Sequence, residues 1–194
     1  MKIDTKTRVL NEAARLVQMK GFRATRVEEI LEAAELRKGG LYHHFLNKEE
    51  LGLQVLEYKR REFMSFLDES LSGDTPKQAL LNFFDAALVK HQKSGFKGGC
   101  FFGNTALEMA DEAGPFAGAV RKIFNEWTGR LTQVIRAGQT GGTIRKEFSA
   151  PVLARQVVVT LEGGIMLARL TKQSASLRNA IQVLRDTLFT KETQ

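Results

Sequence analysis

The densest set of residues able to do chemistry is Arg37-Lys38-Gly39-Gly40-Leu41-Tyr42-His43-His44. It combines cations, hydroxyl and imidazole groups with small residues that let a backbone come close. That mixture suits phosphate oxygens and base edges. It suits a metal poorly: neighbouring histidines diverge on a helix, paired ligands need i,i+4 spacing, and no Cys or acid is suitably placed. No metal is expected. The other reactive group is the single cysteine, Cys100. It admits three readings: an inert buried thiol, a sensor of oxidants or electrophiles beside a helix start, or a nucleophile paired with His91. No orienting acid or oxyanion motif accompanies it, so an enzyme is not expected. Gly95, Gly98 and Gly99 before it lack the Gly-Lys-Ser/Thr ending of a phosphate loop, and no cofactor is expected.

Residues 37–44 can meet a duplex only from one exposed helix face, so the flanking segments must hold that helix. Thr25 and Glu28 read as cap and box, and Val27, Ile30, Leu31 and Ala34 form one apolar face after them. The phase breaks near 35–37. Leu41 and Phe45 then anchor a second short helix, and Asn47 with Glu50 opens a longer one. Two short helices joined by a tight turn make a helix-turn-helix. A preceding helix over 4–20, with Leu10, Ala13, Ala14 and Val17 inward, braces them and stops at Gly21-Phe22.

The order Gly21-Phe22, Thr25, Val27-x-x-Ile30, Ala33-Ala34, Lys38-Gly39, Leu41-Tyr42-x-His44-Phe45, Lys48-Glu49-Glu50-Leu51 resembles the DNA-binding domain of TetR-family transcriptional regulators. The match covers about 5–51; beyond it the chain is similar to the family in helical layout only. Four positions depart from the family pattern: Glu35 stands where the turn usually has glycine, and Arg26, Arg37 and Gly40 replace Thr or Ser. The resemblance implies a homodimeric regulator that binds double-stranded operator DNA of pseudo-palindromic sequence, repressing until a small-molecule effector binds. Within the helix-turn-helix, Arg37, Lys38, Gly40 and His43 are candidates for the base edges, and Gly39 is a further DNA-binding candidate on the same exposed side. Thr25, Arg26, Tyr42, His44 and Lys48 are candidates for phosphates.

The 194 residues carry a net charge of +7, but residues 1–50 hold ten Lys/Arg against eight Asp/Glu, so placement rather than total charge favours DNA. No apolar run of about 18 residues and no apolar leader is present, and one cysteine fits a reducing compartment, so a cytoplasmic protein without a membrane partner is expected. Apolar periodicity places further helices at about 48–70, 76–93, 103–111, 115–137, 150–172 and 176–190. The expectation is an all-α chain: an N-terminal three-helix helix-turn-helix domain, 1–47, and a larger helical effector-binding and dimerisation domain, 48–194. The pair 150–172 and 176–190 has more apolar surface than one neighbour needs and looks like the family's dimer pair.

Many aromatics in the larger domain favour a ligand pocket. Phe66, Cys100, Phe102, Asn104, Glu108, Phe124, Trp127 and Glu162 are its candidate residues; Glu162 is the acid set in an otherwise apolar stretch. Two alternatives stay open: a helical ligand-binding protein without DNA binding, and a thiol-based redox or electrophile sensor acting through Cys100.

Overall fold

The computed structural model describes residues 4–112 and 114–190, except for the side chain of Tyr42. The described chain forms α1 (Thr5–Ala24), α2 (Val27–Ala33), α3 (Lys38–Tyr42), α4 (Lys48–Ser70), α5 (Pro76–Lys93), α6 (Phe101–Met109), α7 (Pro115–Thr140), α8 (Ala150–Thr171) and α9 (Ala175–Leu188). Among the described residues the only β pairing is an isolated antiparallel bridge, Ile144 with Phe189. The all-α expectation holds, with helix ends within a few residues of those read from the sequence.

Two boundaries differ. Helix α1 continues past the expected stop, with a kink at Gly21 (φ 86°, ψ 169°), before ending at Ala24. That conformation is almost confined to glycine, so the residue that looked like a helix end makes a bend instead. The cap of α2 is Arg26 rather than Thr25. Its N–H donates to Glu29 at 2.9 Å, so the acid of the box is Glu29 and not Glu28. The cap of α4 follows expectation: Asn47 Oδ1 accepts from the Glu50 N–H at 2.8 Å, and Glu50 accepts from the Leu46 N–H at 2.6 Å.

The helices gather into two compact units. One holds the chain up to Phe63 with Phe101–Ile123; the other holds Met64–Cys100 and the chain from Phe124. The first is built on Val9, Ala13 and Val17 of α1, Ile30 and Leu31 of α2, Leu41, Phe45, and Leu51 and Val55 of α4, all buried. Tyr58 donates to Asn11 at 2.6 Å, tying α4 to α1. Gly52 lets Phe22 and Phe116 meet edge to face at 5.0 Å. A Cβ at Gly52 would stand 2.6 Å from the Phe22 ring and 2.7 Å from Phe116.

The second unit packs Leu80, Phe83 and Phe84 of α5, Leu131 and Ile135 of α7, Val157 and Leu161 of α8, and Leu177 and Leu184 of α9. Helices α8 and α9 pack closely along their length. A Cβ at Gly164 would lie 2.9 Å from Ala180 Cβ. Helix α8 is long and apolar enough to cross a membrane (mean hydropathy 1.3 over 18 residues), but it carries Arg155, Glu162 and Arg169. The face turned to α9 is that of a core helix.

Candidate nucleic-acid interface

Helix α3 has five residues, fewer than the twelve or so an isolated helix needs to persist in water. Its neighbours hold it. Leu41 and Phe45, each 2% exposed, plug it into the first unit from beneath. The turn before it is fixed by Leu36 N–H donating to Leu31 O at 2.9 Å, with Glu35 left-handed at φ 50°. Glycine would adopt that conformation without strain; a side chain there costs roughly 1–2 kcal/mol. The turn therefore keeps a left-handed residue even though glycine is missing.

With the apolar side anchored, Arg37, Lys38, Gly39 and His43 are exposed, and Gly40 and His44 half-buried. Arg37 is the extended residue before the helix, and its side chain makes no capping bond. A Cβ on Gly39 would meet nothing within 4 Å, and one on Gly40 only Leu36 at 3.4 Å, so both leave the helix surface low. The His43 and His44 rings lie edge to face at 5.2 Å. Tyr42 contributes its backbone to α3; its side chain is outside the described part of the structure. The DNA-candidate residues 37–44 thus lie on α3 or within two residues of its ends.

The flanking candidates separate. Arg26 is exposed and makes a 3.7 Å ion pair with Glu29. Lys48 is exposed at the start of α4, with Nζ 3.4 Å from Arg23 O. Thr25 is 1% exposed, and its hydroxyl donates to Gly21 O at 2.6 Å, closing the kink of α1. Sequence reasoning missed Lys20 and Glu29, which join α1 to α2 at 2.6 Å. The Lys20 hydrogen bond, helped by the Arg26 N–H, pulls the Glu29 carboxyl down to about 2.

The eight effector candidates divide between the units. In the first, Phe102 is buried against Phe63 (5.4 Å) and Phe101 (5.6 Å), and Asn104 is half-buried. Glu108 does not face a ligand with a free carboxylate: both its oxygens accept backbone N–H groups, from Phe22 at 2.8 Å and Arg23 at 2.7 Å. In the second unit, Phe124 stacks on buried Trp127 at 5.9 Å. Phe66 lies 6.3 Å from Phe83, with Lys90 Nζ 4.3 Å over its ring. Glu162 accepts a hydrogen bond from the Cys100 thiol, and burial pushes its carboxyl above the usual range. Its Oε1 is buried without a hydrogen-bond partner. A carboxylate beside Cys100 is the reverse of the cationic surroundings that activate a thiol. No cluster of three or more His, Cys, Asp or Glu able to hold a metal occurs among the described residues.

His91, on α5, is half-buried, and burial with the nearby Lys90 charge pushes its imidazole down from 6.5 to about 4. A base weakened by folding is protonated first in the unfolded chain. Stability should therefore fall as pH drops from about 6.5 to about 4, by ~2 kcal/mol at pH 5. Urea unfolding at pH 7 and pH 5 checks this: His91→Asn should lose less stability between the two than the parent. Equal losses would assign the acid sensitivity elsewhere.

Two sequence profiles match this chain: that described as bacterial regulatory proteins, tetR family, over residues 9–55, and that described as tetracyclin repressor-like, C-terminal domain, over 76–184. The chain is 32% identical over 156 residues to the transcriptional regulator AcuR of Cereibacter sphaeroides, covering 78% of this chain and 70% of AcuR. It is 27% identical over 176 residues to the HTH-type transcriptional repressor DhaR of a Mycobacterium species, covering 88% and 85%. The crystal structure of a regulatory protein TetR from Rhodobacter sphaeroides superposes with a TM-score of 0.88 at 28% identity, over 94% of this chain and 97% of that one.

Proposed function

The chain belongs to the TetR family of bacterial regulatory proteins and is a helix-turn-helix transcriptional regulator, and from that premise we propose which residues bind DNA and how binding is relieved. Residues 1–47 read the operator, and 48–194 carry effector binding and dimerisation. The protein acts as a homodimeric repressor in the cytoplasm, by binding rather than catalysis. The observation that carries this is that Arg37, Lys38, Gly39 and His43 are exposed on and beside α3 while Leu41 and Phe45 are buried.

Each subunit offers one such helix, and a two-fold pair calls for half-sites about 34–36 Å apart, one turn of DNA. Arg37, Lys38 and His43 supply the donors for base edges; Gly39 and Gly40 keep the surface low enough to approach them. Arg26, Tyr42, His44 and Lys48 serve phosphates, and Thr25 contributes through the kink it closes. The dimer forms through α8 and α9. The effector is a small molecule that draws its contacts from the candidates of the second unit, Phe66, Cys100, Phe124, Trp127 and Glu162. It relieves repression only by binding unequally to the two conformers.

Selection from a random DNA pool at two salt concentrations tests the reading. A pseudo-palindrome is expected; nonspecific retention alone, or none, would overturn it. On the recovered fragment, Arg37→Ala should cost ~1–3 kcal/mol per half-site and relax specificity at one position. Lys48→Ala should weaken all sequences alike and flatten the plot of log affinity against log salt by about 1 for each phosphate contact removed. Binding titrations across a salt series separate the two; matching slopes for Lys48→Ala and the parent would remove Lys48 from the phosphate set.

A further inference from the structure

We propose that Glu108 is a positioning residue for DNA recognition: its carboxylate grips the backbone at the kink of α1 and so fixes the angle at which α6 holds the helix-turn-helix. The inference rests on the DNA-binding reading above and adds to it the element that sets the recognition helix in place.

The grip is specific in three ways. First, the two oxygens take two successive N–H groups, Phe22 on Oε2 at 2.8 Å and Arg23 on Oε1 at 2.7 Å, from a residue 86 positions away in the case of Phe22. Bonds to a carboxylate are stronger than neutral ones, and two in parallel fix direction as well as distance. Second, the backbone is shaped to receive it. Gly21 at φ 86° turns those N–H groups out of the helix, and a Cβ there would lie 2.7–2.9 Å from the carboxylate atoms. Glycine is required both for the bend and for the room the acid occupies. Third, the neighbours repeat the attachment: Arg23 pairs with Glu112, and Phe22 packs on Phe116.

On the far side of the kink the connection to the reading helices is short and held throughout. Thr25 closes on Gly21, Arg26 caps α2, and α2 leads through one turn to α3. At its other end α6 begins directly after Cys100, whose thiol bonds Glu162. The nine residues of α6 thus follow a candidate effector group in the chain and grip the DNA-reading helices at their far end. The core of the first unit does not depend on the grip, because Phe22, Val17, Ile30 and Leu51 are buried by apolar neighbours. What Glu108 adds is angle.

The test uses the full chain and its variants Glu108→Ala and Glu108→Gln in the random-pool selection, at a temperature where all three are folded. The parent should recover half-sites at one spacing. Glu108→Ala should recover a spread of spacings and change affinity for the parent's fragment at least tenfold. The salt dependence should stay unaltered, because no phosphate contact is lost. Glu108→Gln, with one carbonyl oxygen to accept one N–H, should fall between, and it carries the comparison if the alanine variant does not fold. A lower affinity would mean that the gripped conformer is the one that binds DNA, a higher affinity that it is the released one; both support the role. A single unchanged spacing with affinity within twofold of the parent would falsify it. If the parent itself selects no pseudo-palindrome, the DNA-binding reading fails and this inference falls with it.

Discussion

Phe45→Ala should abolish sequence-specific DNA binding without touching any residue that faces DNA. Phe45 is 2% exposed, three residues past the end of the five-residue α3, with Lys6 Nζ 5.7 Å from its ring centroid. Removing a buried phenyl group costs ~3–5 kcal/mol, and the space it leaves can be filled only by rearranging α3. So short a helix has almost no stability of its own, so the loss falls on its ordering. Apparent affinity scales with the fraction of molecules in which the recognition surface is formed, and about 3 kcal/mol reduces an otherwise balanced fraction by a factor of about a hundred. Gel-shift titration on the selected fragment should show a loss of a hundredfold or more. The second unit, whose core is built from other helices, should keep its helical circular dichroism. Affinity within threefold of the parent would mean that α3 is held by something other than this ring.

The helix-turn-helix was legible because its signals are local. Caps, apolar spacing and the break in phase lie within some twenty-five residues, and each predicts a backbone feature a few positions away. Asn47 and Glu50 form the box their spacing requires. The misplaced cap at Thr25 has an equally local cause. Thr25 has a capping side chain, but the kink at Gly21 takes its hydroxyl, and the helix begins one residue later on Arg26. Glu35 shows a limit of another sort. Its family position favours glycine, and the backbone keeps the left-handed turn while bearing the side chain.

The other half of the chain was less readable because its decisive contacts join distant positions. Glu108 looked like a ligand-orienting acid because it is one of the few polar groups among the many aromatics of the larger domain. Its partners are the N–H groups of Phe22 and Arg23, which no side-chain pattern reveals. Glu162 was conspicuous for the opposite reason: an acid just after Val157-Val158-Val159-Thr160-Leu161 stands out, and the structure does bury one of its oxygens without a partner. Spacing could place that acid on a helix; it could not say that Cys100 would meet it.

The second large effect concerns α8, whose apolar surface is twofold. One side, with Leu153, Val157, Leu161 and Ala168, is buried with α9. A different stripe, Val152, Val159, Met166 and Leu170, repeats at sevens and fours along the helix and is exposed, by 77% at Leu170 and 66% at Val159. Val183 of α9 is exposed as well, at 57%. The described residues of the chain leave that stripe uncovered, and in a two-fold dimer it would cover its own copy. Met166→Glu with Leu170→Glu would place four carboxylates in such an interface, where each loses its water without gaining a partner. The double variant should therefore be monomeric by light scattering at micromolar concentration and remain folded, because neither side chain belongs to the intrachain core. A monomer presents one recognition helix, so the second half-site no longer binds at the high effective concentration of a linked pair, which is worth roughly 10²–10⁴ in affinity. On DNA the parent should prefer a whole palindrome over a half-site by about that factor, while the variant binds both alike. A variant that still sediments as a dimer would move the subunit interface off this face. A monomer that kept the parent's preference for whole palindromes would instead mean that pairing takes place on the DNA itself.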